Sequence, residues 1–359
     1  MAEMIRWGFL GTAGIARKNW AAVRHAGNGI LTAVASRKLD KACEFIKECQ
    51  LSVPFPQIPK AVEGYAAILE NPEIDAVYVP LPTGLRKDWV IKAARAGKHV
   101  LSEKPSAISA ADLEEMIAVC AENRVQFMDG VMFMHSARLE KIGKILKSAD
   151  ELGDLRRFDS AFSFLADEDF SDNIRMSQNL EPAGCLGDLG WYCLRVFLAF
   201  QNYAMPQRVR GEILREENGV PTEFRGDLYF GNKVSASFYC SFHAALDSWV
   251  KVTGTKGILT VDDFVIPESD SQTRFKITHS LSRNDGCDFK MERAEKIWET
   301  AEYAATHSSA QESQMFRHFG EIVKCGKLNP FWPEISLKTQ TLVDALIRSA
   351  RQGGELVTL

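Results

Sequence analysis

The stretch from Ile5 to Ala16, I-R-W-G-F-L-G-T-A-G-I-A, constrains the fold of this chain more than any other. Residues 5–10 form an apolar run of strand length, Gly11 interrupts the run, and residues 14–25 are compatible with a helix. A strand that turns directly into a helix aims the first N–H groups of the helix, and the positive end of its dipole, at one point. The stretch therefore predicts a binding site for a phosphate or pyrophosphate group.

Small residues recur through this turn with the spacing Gly11-x-Ala13-x-x-Ala16. In a dinucleotide-binding turn, the first small residue allows the tight bend, the second keeps the backbone close to the pyrophosphate, and the third lets the helix pack on its strand. Alanine replaces two of the three usual glycines here. The turn alone is therefore also compatible with an ordinary connection between a strand and a helix.

Strand and helix patterns alternate through the first third of the chain, which favours the dinucleotide-binding interpretation. Apolar runs of strand length occupy residues 30–35, 74–79, 99–102 and 125–128, and helical patterns occupy residues 39–49, 64–69, 83–96 and 110–123. Residues 53–59 contain three prolines and are expected to form a loop or a short edge strand. Because strands that alternate with helices form βαβ units, we predict a doubly wound parallel sheet, an α/β fold.

The pattern changes after about residue 130. Residues 137–147 are helical, and strand patterns then follow at 155–165, 209–214, 224–230, 233–242, 249–252, 258–261 and 275–279. Tight turns such as Gly231-Asn232 connect several of them, and further helices are expected at 187–200, 310–325 and 335–350. We predict an NADP-binding Rossmann domain over residues 1–130 and an α+β domain over residues 131–359. The second domain is expected to hold a large, open, mostly antiparallel sheet and to carry the substrate and dimer contacts.

The choice of NADP rests on the end of the second predicted strand. An acidic residue at this position holds the 2′-hydroxyl of NAD, whereas an arginine accommodates the 2′-phosphate of NADP. The sequence reads Ser36-Arg37-Lys38-Leu39-Asp40, without an acid at the strand end. The positive end of the helix dipole repels each of these two cations by about 0.3–1 kcal/mol, and a bound phosphate would make their position favourable. We therefore predict NADP over NAD; the alternative is that Arg37 and Lys38 are merely solvated.

Composition excludes several classes of protein. The net charge of the 359 residues is −4, without a basic block that would bind nucleic acid. No apolar run approaches the about 18 residues needed to cross a bilayer, and the N-terminus lacks the apolar centre of a signal peptide. None of the eight cysteines lies in a C-x-x-C pair or near a histidine at metal-ligand spacing, so we expect buried, reduced thiols and no metal. These features predict a cytoplasmic protein.

Two later stretches carry residues suited to chemistry. Residues 97–105, G-K-H-V-L-S-E-K-P, run from a strand into Lys104, and ligands of open α/β sheets collect at the carboxyl ends of strands. Residues 184–192, G-C-L-G-D-L-G-W-Y, place Asp188 and Tyr192 four residues apart and therefore on one face of a helix. Taken singly, each stretch has an equally plausible structural explanation. Lys104 could be a surface lysine at a strand end, and Tyr192 could be a buried tyrosine that pairs with Asp188.

Together, the small-residue turn, Glu103-Lys104-Pro105 and Asp188-x-Gly190-x-Tyr192 resemble the glucose–fructose oxidoreductase/inositol dehydrogenase (Gfo/Idh/MocA) family. The resemblance extends over essentially the whole chain and is strongest to the branch of dimeric dihydrodiol dehydrogenase, D-xylose dehydrogenase and their plant relatives. That branch has tyrosine where inositol dehydrogenases have histidine. The resemblance implies an NADP(H)-dependent oxidoreductase that transfers a hydride between nicotinamide and a hydroxyl or carbonyl of a sugar, polyol or cyclic diol.

The resemblance also implies the roles of individual residues. Lys104, Tyr192 and Asp188 are expected to be catalytic, and together with His135 they are expected to contact the substrate. Arg175 is implied as a cofactor contact. The complete set of expected cofactor-binding residues is Gly11, Thr12, Ala13, Ile15, Ser36, Arg37, Lys38, Pro80, Leu81, Thr83, Glu103, Lys104 and Arg175.

The roles of Arg86 and His135 are left open. Arg86 stands where the family usually has a histidine, so it either alters the nicotinamide side of the cleft or marks an acidic substrate. His135 follows the last predicted parallel strand, where it either lines the substrate pocket or has a structural role.

Proton transfer is assigned to Tyr192. A free tyrosine has a pKa of about 10 and is a weak base near neutrality, whereas a neighbouring ammonium stabilises the phenolate and lowers that pKa. We therefore expect Tyr192 to be the general acid/base, Lys104 to be its electrostatic partner, and Asp188 to orient the lysine or the substrate hydroxyl. The alternative functions are a nucleotide-binding regulator without catalysis and an NAD-dependent glycoside hydrolase that retains its cofactor.

The stretch from Leu228 to Phe242 predicts the assembly. It alternates as strands do, but both faces keep apolar or small residues. A sheet backed by helices on one side exposes such a second face, and an exposed apolar patch usually marks an interface. We predict a homodimer in which the two open sheets pack together.

Overall fold

The computed structural model describes residues 4–268 and 271–359, which divide into two compact units. The first unit contains the described residues up to His135, together with Asp172–Ala183 and Ala305–Asp344. The second unit contains Ser136–Ser171, the described part of Gly184–Ala304, and Ala345–Leu359. Each unit is built around its own β-sheet.

The sheet of the first unit has six strands, and every pair of neighbours is parallel. The strands are β1 (Ile5–Leu10), β2 (Gly29–Ser36), β3 (Lys60–Glu63), β4 (Ala76–Val79), β5 (His99–Ser102) and β6 (Phe127–Asp129). Their spatial order is β3-β2-β1-β4-β5-β6, so the direction of winding reverses between β1 and β4. This topology confirms the predicted doubly wound sheet and directs ligands to the carboxyl ends of the strands at that reversal.

Helices connect these strands. They are α1 (Gly14–Ala26), α2 (Leu39–Ser52), α3 (Ala66–Leu69), α4 (Thr83–Arg95) and α5 (Ala110–Glu122). Short 3₁₀ helices at Met132–His135 and Ile174–Met176 also belong to this unit.

The sheet of the second unit has nine strands and is antiparallel apart from the pairing of its central strands β7 and β10 in the described residues. The strands are β7 (Leu155–Leu165), β8 (Arg208–Glu217), β9 (Val220–Tyr229), β10 (Ser235–Ser241), β11 (His243–Gly254), β12 (Ile258–Val261), β13 (Thr273–Asp285), β14 (Asp288–Thr300) and β15 (Val357–Thr358). Their spatial order is β14-β13-β12-β11-β7-β10-β9-β8-β15. The predicted large, mostly antiparallel sheet is confirmed.

Helices α6 (Ala137–Ser148) and α7 (Trp191–Phe200) belong to the second unit. Helix α7 is buried along almost its whole length and packs on the sheet, where the rings of Phe197 and Phe158 lie 6.1 Å apart. This contact defines the inner face of the sheet; the residues that alternate with Phe158 along β7 face outward.

Two helices near the C-terminus, α8 (Gln311–Cys325) and α9 (Phe331–Arg351), follow the second sheet in sequence. Helix α8 nevertheless covers the first sheet, because the ring of Phe316 lies 4.9 Å from Trp7 on β1 and 5.8 Å from Tyr78 on β4. The predicted division of the chain at residue 130 therefore differs from the structure. Residues 172–183 and 305–344 group with the first unit, and its first segment runs to His135.

Several local predictions also differ from the structure. Strand β14 lies where no strand was expected. Segment 53–59 forms a loop, which is one of its two expected forms, and the edge strand β3 follows it. Residues Leu186–Gly190 form a π-helical turn and not the first turn of an α-helix. Of the eight thiols expected to be buried, three are exposed, at Cys43, Cys287 and Cys325.

Candidate active site

The turn between β1 and α1 has the geometry that its sequence predicts. Gly11 adopts a φ of +130°, which side chains disfavour, and a Cβ at this position would lie 3.4 Å from Leu81 Cδ2. Ala16 is fully buried against the sheet, and its N–H donates to the Ala13 carbonyl over 2.9 Å. Helix α1 has no acidic residue in its first turn. Its N-terminus is therefore suited to an anion. Thr12 is half-buried and Ile15 exposed at this end of the helix.

Two cations follow β2 at the neighbouring strand end. Ser36 closes the strand and is buried, whereas Arg37 and Lys38 are exposed. Within residues 4–268 and 271–359, neither cation has a carboxylate partner, and Lys38 is the N-cap residue of α2 without a side-chain cap. Two unpaired cations beside a helix N-terminus fit a 2′-phosphate, so these residues would hold the adenosine end of NADP.

The loop after β4 begins α4 and receives a segment from later in the chain. Thr83 donates its backbone N–H to Glu181 Oε1 over 2.9 Å and its hydroxyl to Glu181 Oε2 over 2.6 Å. The next residue must be small, because a Cβ on Gly84 would lie 2.4 Å from the Asn179 carbonyl oxygen. Segment 172–183 is thereby docked on the N-terminus of α4, and it carries the half-buried Arg175. Pro80 and Leu81, in the same loop, are buried.

Lys104 lies two residues beyond the end of β5, next to a buried carboxylate. Glu103 is buried, and its Oε1 accepts hydrogen bonds from the Tyr78 hydroxyl over 2.6 Å and from Asn19 Nδ2 over 3.3 Å. Burial beside the Glu103 carboxylate holds the pKa of Tyr78 well above its usual value, so this hydroxyl remains protonated and donates. The Lys104 backbone N–H lies 3.3 Å from Glu103 Oε2, and the Lys104 side chain is half-buried.

Asn19 and Tyr78 were missed by sequence reasoning. Both are polar residues on otherwise apolar surfaces: Asn19 lies on the buried face of α1, and Tyr78 lies within the buried strand β4. A polar side chain in such a position requires a hydrogen-bond partner, and this was the available signal.

Arg86 is not a substrate-facing cation. Its side chain is only 5% exposed, and Nε donates to the Leu81 carbonyl over 2.7 Å. Nη1 donates to Thr83 Oγ1 over 2.9 Å and also to the Pro105 carbonyl. These contacts give the acidic-substrate alternative no support, because the guanidinium is buried and directed toward protein acceptors. The role of Arg86 toward a substrate stays a prediction.

His135 closes the 3₁₀ helix after β6. Its ring stacks on Trp332 of α9 with centroids 4.6 Å apart, and its Nδ1 lies 3.3 Å from Nδ1 of His318 on α8. The His135 ring is therefore packed against Trp332 and close to His318. Its expected role in binding substrate stays a prediction.

Asp188 and Tyr192 lie in the second unit on consecutive helical turns. Asp188 is half-buried in the π-helical turn Leu186–Gly190, and Tyr192 is buried in the first turn of α7 with its ring 5.5 Å from that of Phe162. π-helical turns are rare and occur frequently at functional sites. Because Lys104 belongs to the first unit, its pairing with Tyr192 stays a prediction.

Two glycines allow the π-helical turn to lie on its sheet. Gly184 has a φ of +49°, and a Cβ there would lie 2.0 Å from the Pro221 carbonyl oxygen on β9. A Cβ on Gly190 would lie 2.7 Å from Leu186 Cδ1 and 3.3 Å from Cys240 Sγ on β10. The glycine-rich sequence around Asp188 is thus required by close packing.

No group of three or more metal-ligating side chains exists in the described part of the chain.

Comparison with known proteins identifies the class and then the family. A model of an oxidoreductase family with an NAD-binding Rossmann fold, Gfo/Idh/MocA, matches residues 5–131. A model of the GFO/IDH/MocA C-terminal domain matches residues 142–260. The protein is an oxidoreductase, and the chain belongs to the Gfo/Idh/MocA family, which confirms the resemblance drawn from its motifs.

Relatives and solved structures cover nearly the whole chain. The dTDP-3,4-didehydro-2,6-dideoxy-alpha-D-glucose 3-reductase of Actinomadura kijaniata is 30% identical over 98% of this chain and 97% of its own length. The D-xylose 1-dehydrogenase (NADP(+)) 2 of Haloferax volcanii is 33% identical over 70% of this chain and 74% of its own length. The crystal structure of KijD10, a 3-ketoreductase from Actinomadura kijaniata in complex with NADP and TDP-benzene, matches with a TM-score of 0.79 and 26% identity. That match covers 97% of this chain and 98% of the other.

Proposed function

We propose that this oxidoreductase depends on NADP(H) and transfers a hydride between nicotinamide and a hydroxyl or carbonyl carbon of a sugar-like, polyol or cyclic-diol substrate. The observation that carries the proposal is the carboxyl edge of the parallel sheet. A dinucleotide-type turn follows β1, two exposed cations follow β2, and Lys104 follows β5 of that one sheet. Ligands of doubly wound sheets bind at this edge.

NADP is the cofactor that these residues fit. Arg37 and Lys38 supply unpaired positive charge where a 2′-phosphate would lie, and no acidic side chain follows β2 directly to hold a ribose hydroxyl. The names of the related NADP-dependent xylose dehydrogenase and of the NADP complex of KijD10 support the same cofactor. When bound, NADP(H) supplies or accepts the hydride.

Proton transfer is the task of the chain's own residues. The Tyr192 phenolate takes the proton from a substrate hydroxyl during oxidation, and the Tyr192 hydroxyl that results returns it during reduction. The Lys104 ammonium donates a hydrogen bond to the substrate oxygen and stabilises the phenolate form of Tyr192. Asp188, one helical turn before Tyr192, orients the lysine or the substrate hydroxyl. This division of roles makes Tyr192 the general acid/base.

The substrate in this proposal is a ring or chain that carries several hydroxyl or carbonyl groups. Two relatives carry names of enzymes that act on sugars, one on a dTDP-linked deoxysugar and one on D-xylose. Because Arg86 is buried and donates to backbone carbonyls, it gives no reason to require an acidic group on the substrate.

Absorbance at the reduced-nicotinamide band tests the proposed function. The protein would be incubated with NADP⁺ or NAD⁺ and a panel of aldoses, polyols and cyclic diols that includes D-xylose. We expect reduction of NADP⁺, and a slower reaction with NAD⁺, for at least one member. Tight NADP binding without turnover of any member would instead support a non-catalytic regulator.

A homodimer and a cytoplasmic location complete the proposal. Ala161 on β7 is flanked in register by Tyr239 on β10 and Trp249 on β11, which makes a small-residue gap between two aromatic side chains on the outer face of the sheet. Such a face suits packing against a second copy. The eight cysteines are free thiols, in keeping with a reducing compartment. Among the described residues, no helix is long and apolar enough to cross a membrane.

A further inference from the structure

We propose that Arg86 is a positioning residue for the reaction: it holds the backbone of Lys104 in place by joining the loop after β5 to the loop after β4. This inference rests on the proposed function, because it assumes that Lys104 acts on the substrate. Arg86 itself lies on α4, buried beneath both loops, and is not expected to touch the substrate.

The guanidinium joins the two loops through three acceptors. Nε donates to the Leu81 carbonyl over 2.7 Å, and Nη1 donates to Thr83 Oγ1 over 2.9 Å and to the Pro105 carbonyl. A guanidinium is planar, so its donors have fixed relative directions. Burying its charge is costly unless those donors are satisfied, and the acceptors are therefore held to it. The position of Pro105 relative to Leu81 and Thr83 is set in this way.

Lys104 is consequently fixed on both sides along the chain. Pro105 is held by Arg86, while Glu103 is held by the Tyr78 hydroxyl and by Asn19. The Arg86 charge also acts on Tyr78, whose pKa it lowers against the larger effects of burial and of Glu103. Arg86 and Glu103 are therefore both buried near Tyr78, where they act on its pKa in opposite directions.

The same guanidinium also reaches the segment expected to contact the cofactor. Thr83 accepts a hydrogen bond from Arg86 and donates one to Glu181 Oε2, while its backbone N–H donates to Glu181 Oε1. Glu181 lies on the segment that carries Arg175. Thr83 thus links Arg86 to that segment through one hydrogen bond with Arg86 and two with Glu181, and a further hydrogen bond joins Arg86 to the loop of Lys104. A change at Arg86 should alter where Lys104 stands relative to a bound nicotinamide.

A purely structural role would predict a general loss of stability without a selective loss of turnover. Lys98 provides the matched control. It is 7% exposed, lies just before the other end of β5, and donates through Nζ to the carbonyls of Asn71 over 2.7 Å and Ile74 over 2.8 Å. Lys98→Met and Arg86→Met both remove a buried cation that donates to backbone carbonyls, but only Arg86→Met releases the loop of Lys104.

The experiment compares Arg86→Met, Arg86→Lys and Lys98→Met in the full chain. Turnover and KM are measured with the best substrate of the panel, NADPH affinity by fluorescence, and Tm by thermal unfolding. We expect Arg86→Met to lower kcat by about 10- to 100-fold, a larger factor than the one by which it weakens NADPH binding. Arg86→Lys keeps one donor and the charge, and should recover part of the lost turnover. Lys98→Met should keep kcat within about twofold of the wild type.

A second readout does not require turnover. The rate at which an acylating reagent labels Lys104, followed by peptide mass spectrometry across pH, reports the exposure and pKa of its amine. We expect this rate to change in Arg86→Met and to stay at the wild-type value in Lys98→Met. Unchanged Lys104 labelling in a folded Arg86→Met or Arg86→Lys, or equal losses of kcat in Arg86→Met and Lys98→Met, would overturn the positioning role. Wild-type turnover in Lys104→Met would instead overturn the proposed function on which it rests.

Discussion

Three cations near the carboxyl edge of the parallel sheet have different surroundings, and the surroundings assign their roles. Arg37 and Lys38 are exposed and lack carboxylate partners in the described residues. Arg86 is buried and directs its donors to protein acceptors. An exposed, unpaired cation is available to an anionic ligand, whereas a buried guanidinium with satisfied donors fixes the protein around it.

Replacing Arg37 by alanine tests the assignment of the cofactor. The variant should lose a charge-assisted hydrogen bond to the 2′-phosphate, which weakens NADP binding by about 1.5–3 kcal/mol. Binding of NAD, which lacks that phosphate, should hardly change. Calorimetric titration of both nucleotides measures the difference. Equal losses of affinity for NADP and for NAD would show that Arg37 does not bind the 2′-phosphate.

His99 gives a prediction for acid stability. Burial lowers its pKa, and its Nδ1 accepts a hydrogen bond from the Gln126 backbone N–H over 2.9 Å. The folded state therefore favours the neutral ring, and stability falls as the pH drops below the unfolded value of about 6.5. We expect His99→Gln to lose less Tm than the wild type between about pH 7.5 and about pH 5.5. An identical loss in the two proteins would contradict this assignment.

At the residue scale, the sequence predicted side chains that a strand end or a short motif identifies. Gly11 and Lys104 stand where predicted because the ends of parallel strands share one edge. Asn19, Tyr78 and Glu181 were not predicted, because their roles depend on contacts between residues that are 25 to 98 positions apart. Neither periodicity nor a motif carries information at such separations.

At the scale of single elements, the π-helical turn before α7 depends on Gly184. Alanine there would combine a left-handed backbone with a Cβ placed 2.0 Å from the Pro221 carbonyl oxygen. Gly184→Ala should therefore destabilise the protein by about 1–3 kcal/mol and lower turnover through displacement of Asp188. Denaturant unfolding measures the loss of stability.

Gly143 offers the matched control for this substitution. It lies inside α6 of the same unit, and a Cβ there would meet nothing within 4 Å. Because alanine favours helices over glycine by about 1 kcal/mol, Gly143→Ala should be neutral or slightly stabilising. If Gly184→Ala is as stable as Gly143→Ala, the turn does not need its glycine.

Elements with one buried face were predicted well, and elements without one were not. Strands β5, β7 and β12 have the predicted bounds, because apolar residues mark their buried positions. Strand β14 pairs with β13 at the edge of the sheet, and nearly all of its residues are exposed. Its sequence, D-F-K-M-E-R-A-E-K-I-W-E-T, alternates apolar and polar residues only over its first five positions, and neither face of the strand is buried.

At the scale of the whole molecule, the division into units was only partly predictable. The change of pattern near residue 130 marked the end of the parallel sheet. The return of residues 305–344 to the first unit depends on aromatic packing between α8 and β1, which lies more than 300 residues earlier in the chain. A helix of this kind has an apolar face that suits either sheet, so its sequence does not specify which sheet it covers.

The assembly is tested on the outer face of the second sheet. Ala161 lies between Tyr239 and Trp249 at the centre of that face, so a glutamate there would place a charge within the expected interface. Light scattering at micromolar concentration should find a dimer for the wild type and a monomer for Ala161→Glu, with far-ultraviolet circular dichroism unchanged. A monomeric wild type would contradict the homodimer.

The central claim is that Tyr192 transfers the proton while NADP(H) carries the hydride. The most direct test measures turnover of the best panel substrate by Tyr192→Phe, together with its NADP affinity. The account predicts a fall in kcat of about 10²- to 10⁴-fold with NADP affinity nearly unchanged, because only the proton-transferring hydroxyl is removed. Wild-type turnover in Tyr192→Phe would contradict the account and leave Lys104, and then His135, as the proton-transferring group.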